Sequence, residues 1–201
     1  MTRAASAATR FGAAYFRKFY KNAATRVVTP AEMRSRAELI AAILSHSSIP
    51  VRRILDAGCG IGLLRKPFAD LLPKAKYTGL EASTYLCSRY GWVAGSVIDH
   101  QPSKPYDLVV CYDVLQYLDD REAARAIVNF NRLTGAALYV SALTHEDWRD
   151  NCDRSKTDRA VHLRPGAWYR RRLRRHFTYL GFGVWLRKGV TAILWDMERA
   201  S

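Results

Sequence analysis

The 201-residue sequence has no run of about 18 apolar residues, the length a helix needs to cross a bilayer, so no membrane span is expected. Its four cysteines, Cys59, Cys87, Cys111 and Cys152, form no CxxC pair. That argues against a zinc ribbon or dithiol motif and suits reduced thiols in a cytoplasm. Acidic residues are missing at the start, where none precedes Glu32. The opening stretch MTRAASAATRFGAAYFRKFYKNAATR overlaps mitochondrial transit peptides in composition. The competing reading is a basic amphipathic helix of the domain itself, with Phe11, Tyr15 and Phe19 at i, i+4 and i+8 on one face. The high aromatic load favours the second. No apolar signal core, internal repeat, low-complexity tract or linker is present. A single domain over 1–201 is expected, with 1–45 as an N-terminal helical lid.

What is present in excess is positive charge. Thirty-two Lys and Arg against eighteen Asp and Glu leave +14, and residues 151–201 alone carry a net +8. Such a field attracts anions, whether nucleic acid, phosphorylated metabolites or acidic membrane surfaces, without choosing among them.

Apolar periodicity then gives the architecture. Thr29, Pro30 and Glu32 make an N-cap, an N1 proline and a capping box for a helix whose Met33, Ala37, Ile40, Ala41 and Leu44 share a face. After it, RRILDA, YTGLEA, GWVAGSV, YDLVVCY and AALYVSAL read as strands, separated by helical LLRKPFADLL, STYLCSRY and DDREAARAIVNFNRL. This rhythm predicts an α/β, doubly wound, mostly parallel sheet covered by helices on both faces. PGAWYRRRLRRHFTYLG has Tyr169, Leu173, Phe177 and Leu180 at helical spacing. FGVWLR, a turn at Lys188-Gly189 and VTAILWDM follow as an antiparallel C-terminal hairpin, which completes seven strands.

The chemistry concentrates at RRILDAGCGIGLLRKP, where Gly58, Gly60 and Gly62 follow a strand ending beside Asp56. A glycine turn there admits a ligand close to the backbone, with the next helix aiming free N–H groups at it. The spacing is GxGxG, with Leu63 where the dinucleotide fingerprint has its third glycine. A carboxylate at Asp56 would repel a pyrophosphate and hold an amino group. Glu81, at the end of the second strand, is placed to accept hydrogen bonds from both hydroxyls of a ribose.

Over residues 30–201 the chain resembles the class I S-adenosylmethionine-dependent methyltransferases, a Rossmann-like family. ILDAGCGIGLL resembles the family's first motif, YTGLEAS the second, YDLVVCYDVLQYLDD the fourth and RLTGAALYVSAL the fifth. The resemblance implies S-adenosyl-L-methionine as cofactor and S-adenosyl-L-homocysteine as product. It implies that Gly58 and Gly60 pack against the methionine and ribose portion and that Asp56 helps hold the amino group. It further implies that Glu81 binds the ribose hydroxyls, Ala82 lies against the adenine, Ser96 and Val97 stand at the adenine edge, and Cys111 offers a carbonyl near the amine. Where relatives often carry an acid after the glycine at Gly95, this chain has Ser96, with Asp99 nearby.

Methyl transfer to an O, N or C nucleophile rests on alignment and exclusion of water, and a base is needed only for a nucleophile of high pKa. The NPPY-type segment of many amino-methylating relatives is absent, with CYDVLQYL in its place. Candidates for a base fall in THEDWRDNCDRSKTDRAVHLRPGAWY: His145 first, His162 second. Asp113 with Asp150 and Asn151 has some likeness to a magnesium site, but the last two stand too far beyond their strand, and no metal is expected. Tyr20 and Arg26 are candidate lid residues. The expected acceptor is a small, anionic metabolite. The alternative is RNA tracked by YRRRLRR, and more distant alternatives are a nicotinamide oxidoreductase or a non-catalytic cofactor-binding module. Oligomeric state is not legible in the sequence.

Overall fold

The computed structural model describes residues 11–22 and 25–198. The elements are α1 (Ala13–Phe16), continued by a π-turn over Arg17–Lys21, α2 (Pro30–His46), β1 (Arg53–Ala57), α3 (Arg65–Leu71), β2 (Lys76–Glu81), α4 (Thr84–Tyr90) and β3 (Val93–Ala94). They continue as β4 (Tyr106–Tyr112), a 3-10 turn at Leu115–Tyr117, α5 (Asp120–Leu133), β5 (Thr134–Ser141), α6 (His145–Asp150), α7 (Gly166–Leu173), β6 (Phe177–Gly181) and β7 (Val184–Arg187).

The seven strands lie in the order β3-β2-β1-β4-β5-β7-β6. Strands β1 to β5 pair in parallel, while β7 runs antiparallel to both β5 and β6. Alternation along each strand divides the core in two. Leu55, Ala57, Val109, Cys111, Leu138, Val140 and Trp185 join Ile127, Phe130, Tyr169 and Leu173 on one face. Ile54, Leu108, Val110, Ala137, Tyr139, Val184 and Leu186 meet Ile40, Leu44 and Phe68 on the other. Because both faces are covered, the central strands carry almost no polar alternation. The chain winds outward from β1 through β2 to β3, then returns to begin β4 on the other side of β1. The carboxyl ends of β1 and β4 therefore flank a topological switch point, where doubly wound sheets bind ligands.

Local signals act as the sequence implies at several joints. Thr29 and Glu32 form the reciprocal capping box of α2, and Asp119 and Glu122 form that of α5. Three boundaries differ from expectation. The third strand contracts to Val93–Ala94. Helix α7 ends at Leu173, and Phe177, one spacing further on the apolar face, instead opens β6. It remains buried in the same cluster as Tyr169 and Leu173, which is why helical periodicity ran past the helix end. The C-terminal hairpin is present but sits earlier, with β6 and β7 joined at Phe182-Gly183, whose φ values of 49° and 81° suit a tight two-residue turn. Lys188 and Gly189 also turn the chain, but VTAILW then leaves the sheet, and the Ile193 N–H bonds the Ser47 carbonyl at 3.1 Å.

Candidate functional site

The turn after β1 holds three left-handed glycines, Gly58, Gly60 and Gly62, and the space around them differs. A Cβ on Gly58 would overlap the Val114 methyl, and one on Gly62 would stand 2.6 Å from the Trp92 ring. At Gly60 nothing lies within 4 Å. Two glycines therefore make room for the protein's own side chains, and the middle one leaves open space. Trp92 also fixes the turn, its Nε1–H donating to the Gly60 carbonyl at 2.9 Å.

Glu81, 7% exposed at the end of β2, spans this turn. Its Oε2 accepts from the Gly60 N–H at 2.8 Å and its Oε1 from the Ser83 N–H at 2.9 Å. Burial raises its pKa, and the N–H groups of Ser83, Gly60 and Ala82 oppose that rise. Asp56 is buried at the end of β1 and accepts from the Tyr77 hydroxyl at 2.5 Å. Burial lifts its pKa to about 7, partly offset by the Tyr77 bond and reinforced by the Glu81 charge.

The other cofactor candidates fall in or just after β2, β3 and β4. Ala82 is exposed beside Glu81, and Cys111 is buried in β4 opposite Val140. Val97 is buried, and its carbonyl accepts from the Asn129 amide at 3.0 Å. Ser96 is half-buried, with its Oγ accepting from the Ile98 N–H at 3.2 Å. Asp99 lines a separate groove of about 450 Å³ beside Arg121, Arg125 and Arg132 of α5.

A cavity of about 650 Å³ lies beyond the ends of β4 and β5. Its walls come from the N-terminal segment (Tyr15, Phe19, Tyr20, Arg26), from α2 (Glu32, Arg36), and from Tyr112, Asp113, Gln116 and Tyr117 after β4. The remainder comes from Ser141 and residues of the following loop, among them Asp147 and Lys156. The N-terminal segment is tied across this mouth. The Ser83 Oγ–H donates to the Phe11 carbonyl at 2.6 Å, and the Tyr15 and Tyr117 hydroxyls lie 2.8 Å apart. Phe11, Tyr15, Phe19 and Tyr117 form a run of ring contacts with centroids 4.8–5.3 Å apart. The Tyr20 hydroxyl is held protonated by burial, with Tyr117, Asp113 and Glu81 adding to the effect, so it sits within electrostatic reach of both the glycine turn and the cavity.

Asp113 follows β4 in a left-handed conformation, φ 55°, unusual for a residue with a side chain. Burial raises its pKa, against hydrogen bonds from Gln116 and Tyr112. Of the magnesium-like trio, Asp113 and Asn151 line the cavity and Asp150 does not. Asp150 is exposed and takes both its oxygens to Arg149, and Asn151 donates to Asp147. Among the described residues no group of three or more His, Cys, Asp or Glu side chains could hold a metal ion.

The structure does not bring the candidate bases to this cavity. Thr144 caps α6 and pairs with Asp147, which makes His145 the first helical residue and leaves it exposed, outside the cavity wall. His162 is also exposed and engages Gln116 only through its main-chain N–H, at 2.7 Å. Proximity to a strand end in sequence was an insufficient guide, because the cap decides which way the first turn faces.

Three functional-side contributors carried no sequence signal of their own. Trp92 could have been sought from Gly62 and Gly79, both of which it packs against. Arg36 stacks over Tyr112, its guanidinium 4.0 Å from the ring centre, and bonds the Tyr139 hydroxyl. Arg164, 3% exposed, gathers the turn after β4 by bonding Asp120, the Leu115 and Leu118 carbonyls and the Tyr169 hydroxyl. Its place in an arginine-rich tail hid it.

The strand order and the glycine turn with its facing carboxylate define the class I methyltransferase architecture. Residues 55–135 match the family model described as a methyltransferase domain. No curated protein matches the sequence. Among solved structures, magnesium protoporphyrin IX methyltransferase from Synechocystis PCC 6803 with bound SAM is similar at 18% identity and a TM-score of 0.66, over 94% of this chain and 98% of that one. The amino pentose methyltransferase CalS10 from Micromonospora echinaspora, SAM-bound, is similar at 16% identity and 0.60, over 78% and 92%. DesVI from Streptomyces venezuelae follows at 17% and 0.59, over 78% and 91%. At these identities the likeness speaks for the fold.

Proposed function

We propose that this protein transfers the methyl group of S-adenosylmethionine to a small polar metabolite held in the cavity beyond β4 and β5. The observation that carries the reading is the glycine turn, whose middle position is open while Glu81 stands across it with both oxygens anchored. A nucleoside needs that pairing of bare backbone and fixed carboxylate, and the residues fit it. Glu81 grips the ribose hydroxyls, Gly60 admits the chain of the donor while Gly58 seats Val114, Ala82, Ser96 and Val97 border the adenine, and Asp56 and the Cys111 carbonyl serve the amino group. When bound, this cofactor supplies a methyl on a sulfonium, which a single displacement moves to the nucleophile, leaving a neutral thioether and freeing the nucleophile's proton.

The chain's own contribution is alignment and dryness. The described segment before α2 acts as a lid, since Tyr15, Phe19 and Tyr20 line the cavity, whereas α2 packs into the core. The tyrosine hydroxyls there are poor bases, since burial first and neighbouring phenols and carboxylates second push their pKa values up. Asp113 is the cavity group best suited to take a proton where the nucleophile must lose one, because its raised carboxyl lies on the wall where His145 does not. All four cysteines are free, which suits a reducing cytoplasm, and no helix among the described residues is long and apolar enough to cross a membrane. The RNA reading draws less support, since none of the α7 arginines lines the cavity and Arg172 is stacked 3.6 Å from the Trp168 ring centre.

Thermal shift tests the assignment. S-adenosylmethionine and S-adenosylhomocysteine are expected to stabilise the protein and NAD to leave it unchanged. Stabilisation by NAD alone would overturn the reading.

A further inference from the structure

Two buried polar atoms of residues that line the cavity have no hydrogen-bond partner among the described residues, and they are of opposite kind. The Gln116 side chain is 3% exposed and hydrogen-bonded to Asp113, and its Oε1 is left without a donor. On the facing element, α2, the Arg36 guanidinium is committed to the Tyr139 hydroxyl and the Tyr112 ring, while its Nε–H is buried without an acceptor. Both residues line the cavity. An unsatisfied buried acceptor or donor costs roughly 1–3 kcal/mol, so a protein rarely keeps one of each in a single pocket without something to meet them. Their positions are held from behind. Asp113 holds the Gln116 side chain, the His162 N–H donates to the Gln116 main-chain carbonyl at 2.7 Å, and Arg36 is held over the Tyr112 ring by its bond to the Tyr139 hydroxyl.

From this pair we infer that the methyl acceptor is a bifunctional molecule: a carboxylate or equivalent anionic oxygen that receives the Arg36 Nε–H, and a hydroxyl or amine N–H that donates to Gln116 Oε1. Gln116 and Arg36 are thereby the specificity-determining residues of the site. The inference rests on the methyltransferase reading above and deepens it, and it separates the acceptor's contacts from those of the cofactor, which belong to the glycine turn and Glu81. The five aromatic rings on the wall, Tyr15, Phe19, Tyr20, Tyr112 and Tyr117, suit a flat or compact carbon skeleton between the two polar ends.

The test uses the full chain and a panel of matched probes: 4-hydroxybenzoate, salicylate, anthranilate and tyrosine, each beside its carboxamide and beside the analogue lacking the hydroxyl or amino group. Release of S-adenosylhomocysteine reads turnover, and thermal shift in saturating S-adenosylhomocysteine reads binding. At least one two-group compound is expected to bind or turn over, and removal of either group should lower kcat/KM at least tenfold. Gln116→Leu should lower kcat/KM on the active compound tenfold or more while the Kd for S-adenosylhomocysteine stays within twofold. Arg36→Lys should penalise the carboxylate and spare its carboxamide, a split that a merely structural role would not produce. Equal use of single-group analogues, loss of S-adenosylhomocysteine affinity in Gln116→Leu, or a silent panel in a protein that binds S-adenosylhomocysteine would each overturn the inference. Failure of the wild-type chain to bind S-adenosylhomocysteine at all would instead bring down the methyltransferase reading, and this inference with it.

Discussion

The two sides of the switch point are built differently. The side at the end of β1 and β2 is made of backbone: three left-handed glycines, the N–H of Gly60 and one carboxylate bonded across them. The side at the end of β4 and β5 is made of side chains drawn from the N-terminal segment, α2, the turn after β4 and the long loop after β5. Backbone sites admit few sequences, because only glycine tolerates the conformation and the crowding together. Side-chain sites admit many. The comparison teaches that substitutions should be tolerated far less on the first surface than on the second.

Substitutions in the glycine turn break the comparison most severely. Gly62→Val forces a branched side chain into the Trp92 ring at positive φ and should cost about 3–5 kcal/mol, read as a fall in Tm or in the urea midpoint. Gly60→Ala has open space and should cost only about 1 kcal/mol in stability yet lose S-adenosylmethionine binding. A Gly60→Ala chain that binds the cofactor normally would erase the distinction between the two glycines.

A pH titration of stability comes next. The Asp56 carboxyl is raised in the folded state from an ordinary aspartate value to about 7. Folding therefore favours its protonated form, and that stabilisation is complete below pH 4 and lost as pH rises through about 7. Asp56→Asn should flatten the slope between pH 4 and 7 and, at pH 8, leave the protein more stable by up to roughly 3–4 kcal/mol, measured by denaturant melts. Glu81→Gln should then weaken S-adenosylhomocysteine binding about 10- to 100-fold by calorimetry, through loss of a charged acceptor for two hydroxyls. Smallest of all, Tyr15→Phe removes one bond to Tyr117 and should cost about 1 kcal/mol or less, with cofactor affinity unchanged.

Legibility in the sequence followed the same division. β1, β4 and β5 were plain because short, largely apolar runs between helical stretches have few other readings, β2 was marked by its terminal Glu81, and Thr29-Pro30 with Glu32 set the start of α2. The C-terminal hairpin was foreseen but displaced, since Phe177 belongs to the same buried face as α7 although the backbone there is extended. The glycine turn and Glu81 were readable by spacing alone. The cavity was not, because residues as distant in sequence as Arg36, Gln116 and Asp147 meet only through the fold. His145 shows the same limit in one residue: its type and position were suitable, and the Thr144 cap turned it outward.

One residue joins the two sides. Ser83 presents its N–H to Glu81, its hydroxyl to the Phe11 carbonyl, and accepts the Leu86 N–H at the start of α4. Carboxylate below and N-terminal segment above thus share a hinge pin, so the segment cannot swing clear at Phe11 without releasing a hydroxyl whose main chain steadies Glu81. Movement of the N-terminal segment and the setting of Glu81 are thereby linked through a side chain of two heavy atoms.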